Sequence, residues 1–177
     1  VWKEAISLGE KYGYNVSQAT LQAPLGTISF LMGMNTTGIE PAFSLVSYKS
    51  LVGGGVMKLV NFGVREALVN LGYSIDEVDE ICKYVESYDT IEGAPGLKDE
   101  HLSVFDTAMP AGPSGRYLSP MAHIKMMAAI QPLITCAMSK TVNLPESVTS
   151  EEIAKIYEES WRLGLKCIAL YRDKCKA

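Results

Sequence analysis

The sequence predicts an α/β fold, open or barrel-like, over 177 residues read as a single domain. Two stretches carry that expectation. Toward the end, residues 139–144, 149–163 and 166–171 read as strand, capped helix and strand with short loops between them. That order implies a parallel pair joined by a right-handed crossover. Near the start, residues 15–22, 27–33 and 43–49 repeat the order with a shorter helix. The composition agrees: 47% hydrophobic and 20% charged residues suit a globular core.

Each element has its own local signal. Residues 1–13 read as an amphipathic helix stopped at Gly13, and the chain opens at Val1 in mid-pattern, as a trimmed or processed piece would. Residues 15–22 alternate apolar and polar, the period of a strand. Ala23-Pro24-Leu25-Gly26 is a turn, and Thr27 to Gly33 a short apolar helix. Phe43, Leu45, Val46 and Tyr48 mark a second strand. After Gly53-Gly54-Gly55, the residues Met57, Val60, Val64, Leu68 and Leu71 recur at helical spacing up to Gly72. Ser74-Ile75-Asp76-Glu77 is a capping box for a helix to about Tyr88, and the acidic run that follows is a solvated helix start. Residues 90–118 are rich in Gly and Pro and read as irregular, with a short extended piece at 101–106. Ser119-Pro120 opens a helix to about Gln131. There is no internal repeat and no low-complexity segment.

Charge and cysteine usage narrow the function classes. A net charge of −4, with basic residues scattered among acids, argues against a nucleic-acid partner. The longest apolar runs fall far short of the roughly 20 residues a membrane span needs. Cys82, Cys136, Cys167 and Cys175 form no Cys-x-x-Cys pair, and His101 and His123 are not at ligand spacing from them, so no metal site is expected. Cys82, Cys136 and Cys167 are expected as buried free thiols in a reducing cytoplasm, with Cys175 exposed. Met121, Met126, Met127 and Met138 read as core packing.

One segment carries a chemical signal. In Ala23-Pro24-Leu25-Gly26-Thr27-Ile28-Ser29 a strand ends, the chain turns and a helix begins. The first amides of a helix lack intrahelical partners, and the dipole places partial positive charge there. Gly26 permits close approach to the backbone, and Thr27 and Ser29 offer hydroxyl donors, which together suit a phosphate. The same residues also fit a plain strand-to-helix turn with Thr27 as the N-cap. Glu40, in a second polar loop, faces a site or caps local amides; spacing favours the cap. His123 reads as a helix-face histidine rather than a general base. Among these residues no catalytic constellation is visible.

Four segments, in order, resemble the adenosylcobalamin-dependent (class II) ribonucleotide reductases. Residues Ala23 to Ser29 are similar to that family's Ala-Pro-Thr-Gly-Thr-Ile phosphate loop. Thr36-Thr37-Gly38-Ile39-Glu40-Pro41 is followed by Leu51-Val52-Gly53-Gly54-Gly55. Ile91-Glu92-Gly93-Ala94-Pro95 leads to His101-Leu102-Ser103-Val104-Phe105-Asp106. The fourth is His123-Ile124-Lys125-Met126-Met127-Ala128-Ala129, then Gln131-Pro132, then Ser139-Lys140-Thr141-Val142-Asn143-Leu144-Pro145. The closing Leu163-Gly164-Leu165-Lys166 and Ala169-Leu170-Tyr171-Arg172-Asp173 also fit. Leu170-Tyr171 stands where the iron-dependent class usually has two adjacent tyrosines, so the adenosylcobalamin class fits better.

The resemblance implies the C-terminal part of a ten-stranded α/β barrel that reduces ribonucleotides through a cysteine thiyl radical generated by adenosylcobalamin. Residues 23–29 would hold the substrate phosphates. Two departures stand beside that loop. Leu25 replaces the usual Thr, a lost hydroxyl donor worth about 0.5–1.5 kcal/mol, or roughly two- to tenfold in affinity. Met34-Asn35 replaces Cys-Asp. The family's radical cysteine lies in an Asn-x-Cys-x-Glu motif upstream of the matched region, and no such motif occurs in residues 1–177. The four cysteines match no catalytic position. Two readings follow: a part of a reductase that needs a complementary N-terminal segment, or a stand-alone phosphate-binding or structural descendant without catalysis. An isolated part-barrel is also expected to self-associate through open edges and apolar faces.

Overall fold

The structure, a computed structural model, describes residues 1–175 other than Ser17, Pro24 and Asn35, with the side chains of Phe30 and Lys49 left out of the description. Helix α1 spans Trp2–Tyr12 and ends at Gly13, whose φ of 82° turns the chain out of the helix. Helix α2 is a single short turn, Thr27–Leu31. Strands β1 (Val46–Ser50) and β2 (Val56–Val60) form an antiparallel hairpin with Val46 opposite Val60 and Ser50 opposite Val56. Helices α3 (Gly63–Asn70) and α4 (Ile75–Tyr88) follow, then a 3-10 helix at Asp99–Phe105. Helix α5 (Pro120–Ile130), strand β3 (Thr141–Leu144), helix α6 (Ser150–Arg162) and strand β4 (Ala169–Arg172) complete the order.

The C-terminal unit is the one expected. β3 and β4 pair in parallel, Thr141 opposite Ala169 and Leu144 opposite Arg172, with α6 between them in sequence. Every strong cap is formed. Ser74 and Glu77 close a reciprocal capping box on α4, and Thr149 and Glu152 do so on α6. Ser119 accepts a bond from the Ala122 amide, with Pro120 in the first turn of α5.

Four elements differ from expectation. Residues 15–22 were expected as a strand, but among the described residues they form only one isolated parallel bridge, Gln22 with Met138. The polar partners of this stretch are side chains as much as backbone: Thr135 Oγ1 accepts from the amides of Ala19 and Thr20. The second strand begins at Val46 rather than 43. Residues 56–60, expected in a helix, form β2 instead. Gly53, Gly54 and Gly55 all adopt φ near +100°, which only glycine takes easily, and this reverses the chain onto β1. The spacing of Met57 and Val60 had matched a helix by coincidence. Residues 101–106, expected as extended, lie in the 3-10 helix.

Two apolar clusters make the core. The larger joins Val64 and Leu68 of α3 to Val78, Ile81 and Val85 of α4, with Val46, Ile91, Ala94 and Phe105. The smaller joins Ile124 of α5, Val142 and Leu144 of β3, and Ile156 of α6. Met127 and Met138 are buried as expected, while Met126 is half exposed. Cys82 and Cys136 are half-buried free thiols, but Cys167 is exposed rather than buried, because the turn after α6 reaches the surface there.

Candidate phosphate loop and its buried support

The candidate loop begins where the chain leaves its one bridge to residue 138. The Ser139 amide donates to Gln22 O at 3.0 Å, fixing the entry into the turn. Ala23 and Leu25 are half-buried, Gly26, Thr27 and Ile28 are exposed, and Pro24 lies outside the described residues. A side chain at Gly26 would meet nothing within 4 Å, and its φ is ordinary, so the fold itself does not require glycine there. Ser29 differs from expectation. It is buried, and its hydroxyl donates to Leu25 O at 3.0 Å, so this donor is committed to closing the turn.

A second loop packs on the first. Gly38 has a φ of +70°, and a Cβ there would lie 3.0 Å from Gln22 Nε2 and 3.3 Å from Leu25 Cδ1. Leu25, the residue that departs from the family's Thr, is therefore a packing contact for Gly38. Asn35 of this loop lies outside the described residues.

Glu40 does not cap local amides with its side chain. Its Oε1 accepts from the Thr141 amide at 2.7 Å, and its Oε2 takes the Lys140 ammonium at 3.0 Å. Lys140 enters a strand edge beneath the loop with its side chain 1% exposed. Its ammonium also approaches His123 Nδ1 at 2.7 Å and donates to Thr141 O at 3.0 Å. All three ammonium protons are thus used. A charged lysine makes His123 Nδ1 an acceptor and leaves the proton on Nε2, which is buried and has no partner among the described residues. Burial, helped by the Lys140 charge, pushes the His123 pKa down to about 4. Burial likewise lowers Lys140, and Glu40 opposes that shift. His123 is on a helix face, as expected, but on the buried face of α5, where it is a neutral imidazole. Lys140 was not singled out from the sequence, although a lysine just before an apolar strand run is its one visible signal.

Both loops border a cavity of about 1020 Å³. Its wall includes Ser29, Thr37, Glu40, Phe43, Asn143 and Tyr171. An apolar hollow with a few convergent polar groups is the usual form of a small-molecule site.

The comparisons with known proteins bear on this arrangement. The model of the ribonucleotide reductase barrel domain matches residues 1–171. The chain belongs to the ribonucleotide reductase barrel-domain family. A vitamin B12-dependent ribonucleotide reductase of Rhodopirellula baltica is 54% identical over 99% of this chain. One from Streptomyces clavuligerus is 49% identical over the same share. The chain spans only 17% and 18% of those two relatives. The class Id ribonucleotide reductase alpha subunit of Actinobacillus ureae superposes with a TM-score of 0.65 at 21% identity, covering 97% of this chain and 31% of that one. That likeness supports the α/β barrel-type fold.

Proposed function

We propose that this chain forms part of an adenosylcobalamin-dependent ribonucleotide reductase, in which residues 23–29 hold the substrate phosphates. The supporting observation is placement: the exposed turn Gly26-Thr27-Ile28 leads into Ser29, which lines the large cavity. In this reading the phosphate sits on the exposed amides of the turn, with the nucleoside toward that hollow. The relatives are named vitamin B12-dependent ribonucleotide reductases, which supports this reading; the thiyl-radical reduction of ribonucleotides is what the resemblance to that family implies.

The residues here do the binding rather than the radical step. The Asn-x-Cys-x-Glu motif does not occur in residues 1–177, so catalysis requires a complementary N-terminal reductase segment. The backbone amides of 26–28 and the Thr27 hydroxyl are the donors offered to phosphate. Ser29 holds the turn closed through Leu25 O and does not need to touch the ligand.

The relatives' names carry vitamin B12, and adenosylcobalamin is its form in this reading; the buried His123 does not fit as a cobalt ligand. Its Nδ1 meets the Lys140 ammonium at 2.7 Å and its Nε2 is buried, so neither ring nitrogen is open to a metal. No step is therefore assigned to the cofactor on these residues.

Leu25 favours a second reading, a phosphate-binding or structural domain derived from the reductase that does not catalyse. Calorimetry with a nucleoside diphosphate tests the loop in both readings. Gly26→Val adds a branched side chain where the ligand must approach, yet meets no neighbour in the fold. Affinity is expected to fall at least about tenfold with the melting temperature little changed. Unchanged affinity would remove the loop from the site. Exposed Val52, Leu31 and Met34 also support self-association of the isolated chain, and a monodisperse monomer in light scattering would count against it.

A further inference from the structure

We infer that the buried Glu40–Lys140–His123 cluster is the positioning device of the phosphate loop, a role that rests on the reading of residues 23–29 given above only for the identity of the ligand. The cluster joins three parts of the chain at one nitrogen. Lys140 stands just before β3, His123 is on α5, and Glu40 is on the loop at 36–41. Glu40 adds a second tie, through the Thr141 amide, so the carboxylate is held by both of its oxygens. From Glu40 the linkage passes two residues back to Gly38, which lies against Gln22 and Leu25 at the start of the phosphate loop. Gln22 in turn is bonded to Ser139, the residue before Lys140. The path closes on itself: 139–140, 40, 38, 22 with 25, and back from 22 to 139.

Stability alone is a poor reason for such a cluster. A buried ion pair repays its desolvation only when geometry is good and every donor is satisfied, and an apolar replacement of both partners is often neutral. Here the ammonium has all three donors satisfied in fixed directions, which suits a device that sets the position of one loop relative to a strand. Glu40 is also the cluster member that lines the cavity, whereas Lys140 and His123 lie behind it. The arrangement places a charged support behind the part of the wall that Glu40 forms, with no part in binding assigned to the lysine or the histidine.

The test reads local order without any ligand. The amides of Ser29, Met32 and Met34 are bonded to Gly26 O, Ile28 O and Ser29 O and report on the loop. Amides of α4, in the other core cluster, serve as the control. Lys140→Met leaves Glu40 without its cation and should speed hydrogen exchange at the three loop amides by about tenfold, with α4 unchanged. The double variant Glu40→Gln/Lys140→Met removes the uncompensated charge but does not restore the tie, so the melting temperature should return toward the parent while the loop amides still exchange several-fold faster. Equal acceleration in α4, no acceleration in the loop, or parent-like loop exchange in the double variant would overturn the proposal. Should Lys140→Met fail to fold, Glu40→Asp decides: it keeps the charge but shortens the arm, so the loop amides exchange faster or the idea fails. In the same Glu40→Asp protein, nucleoside diphosphate binding should weaken about threefold or more. Parent-like affinity on a loosened loop would also overturn the positioning role. If the parent itself binds no nucleotide, the phosphate reading falls while the exchange pattern still judges the cluster.

Discussion

Residues 14–62 and residues 63–173 of the same chain are built in different ways. The later region contains nearly all of the core: Leu68, Val78, Ile81 and Val85 in one cluster, Ile124, Val142 and Leu144 in the other. The earlier region contributes Val46, with Leu45 and Val60 packed against the larger cluster, and leaves Leu21, Ile28, Leu31, Phe43, Val52 and Val56 exposed. Yet the candidate phosphate loop and most of the cavity wall lie in the earlier region. The contrast teaches that the packed half acts as a scaffold, and that the functional half is held mainly by polar ties to it. Those ties include Thr135 to residues 19–20, Ser139 to Gln22, Lys140 and Thr141 to Glu40, Ala108 N to Ala42 O, and Tyr48 and Lys58 to Asp89.

The largest effect should come from breaking the scaffold. Leu68 is fully buried between α3 and α4. Leu68→Ala removes its contacts and leaves a cavity, costing about 2–5 kcal/mol. Urea titration followed by circular dichroism measures this. A loss below about 1 kcal/mol would mean that the packed region is not the source of stability.

Acidification sharpens the contrast through one residue. His123 is held near 4, whereas an unfolded histidine titrates near 6.5. The neutral form is favoured in the fold, so its contribution is complete above pH 6.5. As pH falls through the window from 6.5 to 4, the unfolded chain takes up a proton that the folded chain refuses, and stability drops by about 3 kcal/mol. His123→Asn keeps an acceptor for Lys140 and has no proton to take up. The difference in stability between parent and variant should therefore change across that window, and parallel curves would show that His123 is not buried as a neutral base.

How much of this was legible follows from where each signal resides. The capped helices at 75–88, 120–130 and 150–162 announce themselves because Ser74, Ser119 and Thr149 satisfy helix amides locally, whatever else the chain does. The parallel pair of β3 and β4 was legible because its connection is short and its helix is well marked. Residues 15–22 were misread because alternation fits any extended segment, paired or not. Met57 and Val60 were misread because the turn that governs them is set by three glycines rather than by apolar spacing. In the candidate site, the loop at 23–29 was visible as a motif, but its support was not. Glu40 and Lys140 are a hundred residues apart, and nothing local pairs them.

Ser74→Ala tests the locally determined kind of element. It removes the acceptor for the Glu77 amide and the hydroxyl that meets Glu77 Oε2 at 2.7 Å. The expected loss is about 1 kcal/mol, seen as a small shift in the denaturant midpoint with an unchanged slope. A change in slope would show that α4 unfolds apart from the remainder and that the scaffold is not one cooperative unit.

The smallest effect belongs to the hairpin tip. Val52 is fully exposed beside Gly53, and its side chain adds nothing to either core cluster. Val52→Ser should leave stability within about 0.5 kcal/mol of the parent. It should also leave the β1–β2 register intact, because that register rests on the backbone pairing from Val46 opposite Val60 to Ser50 opposite Val56 and on the glycine reversal. Beyond the strands, the hairpin is anchored by Tyr48, whose hydroxyl meets Asp89 Oδ2 at 2.5 Å at the end of α4, and by Lys58, which pairs with the same carboxylate. A loss well above 1 kcal/mol on chemical denaturation, at a protein concentration where the chain is monomeric, would show that the tip packs on something in solution. The earlier region would then owe its order to apolar burial as well, and the division between a packed scaffold and a polar-tethered functional half would no longer hold.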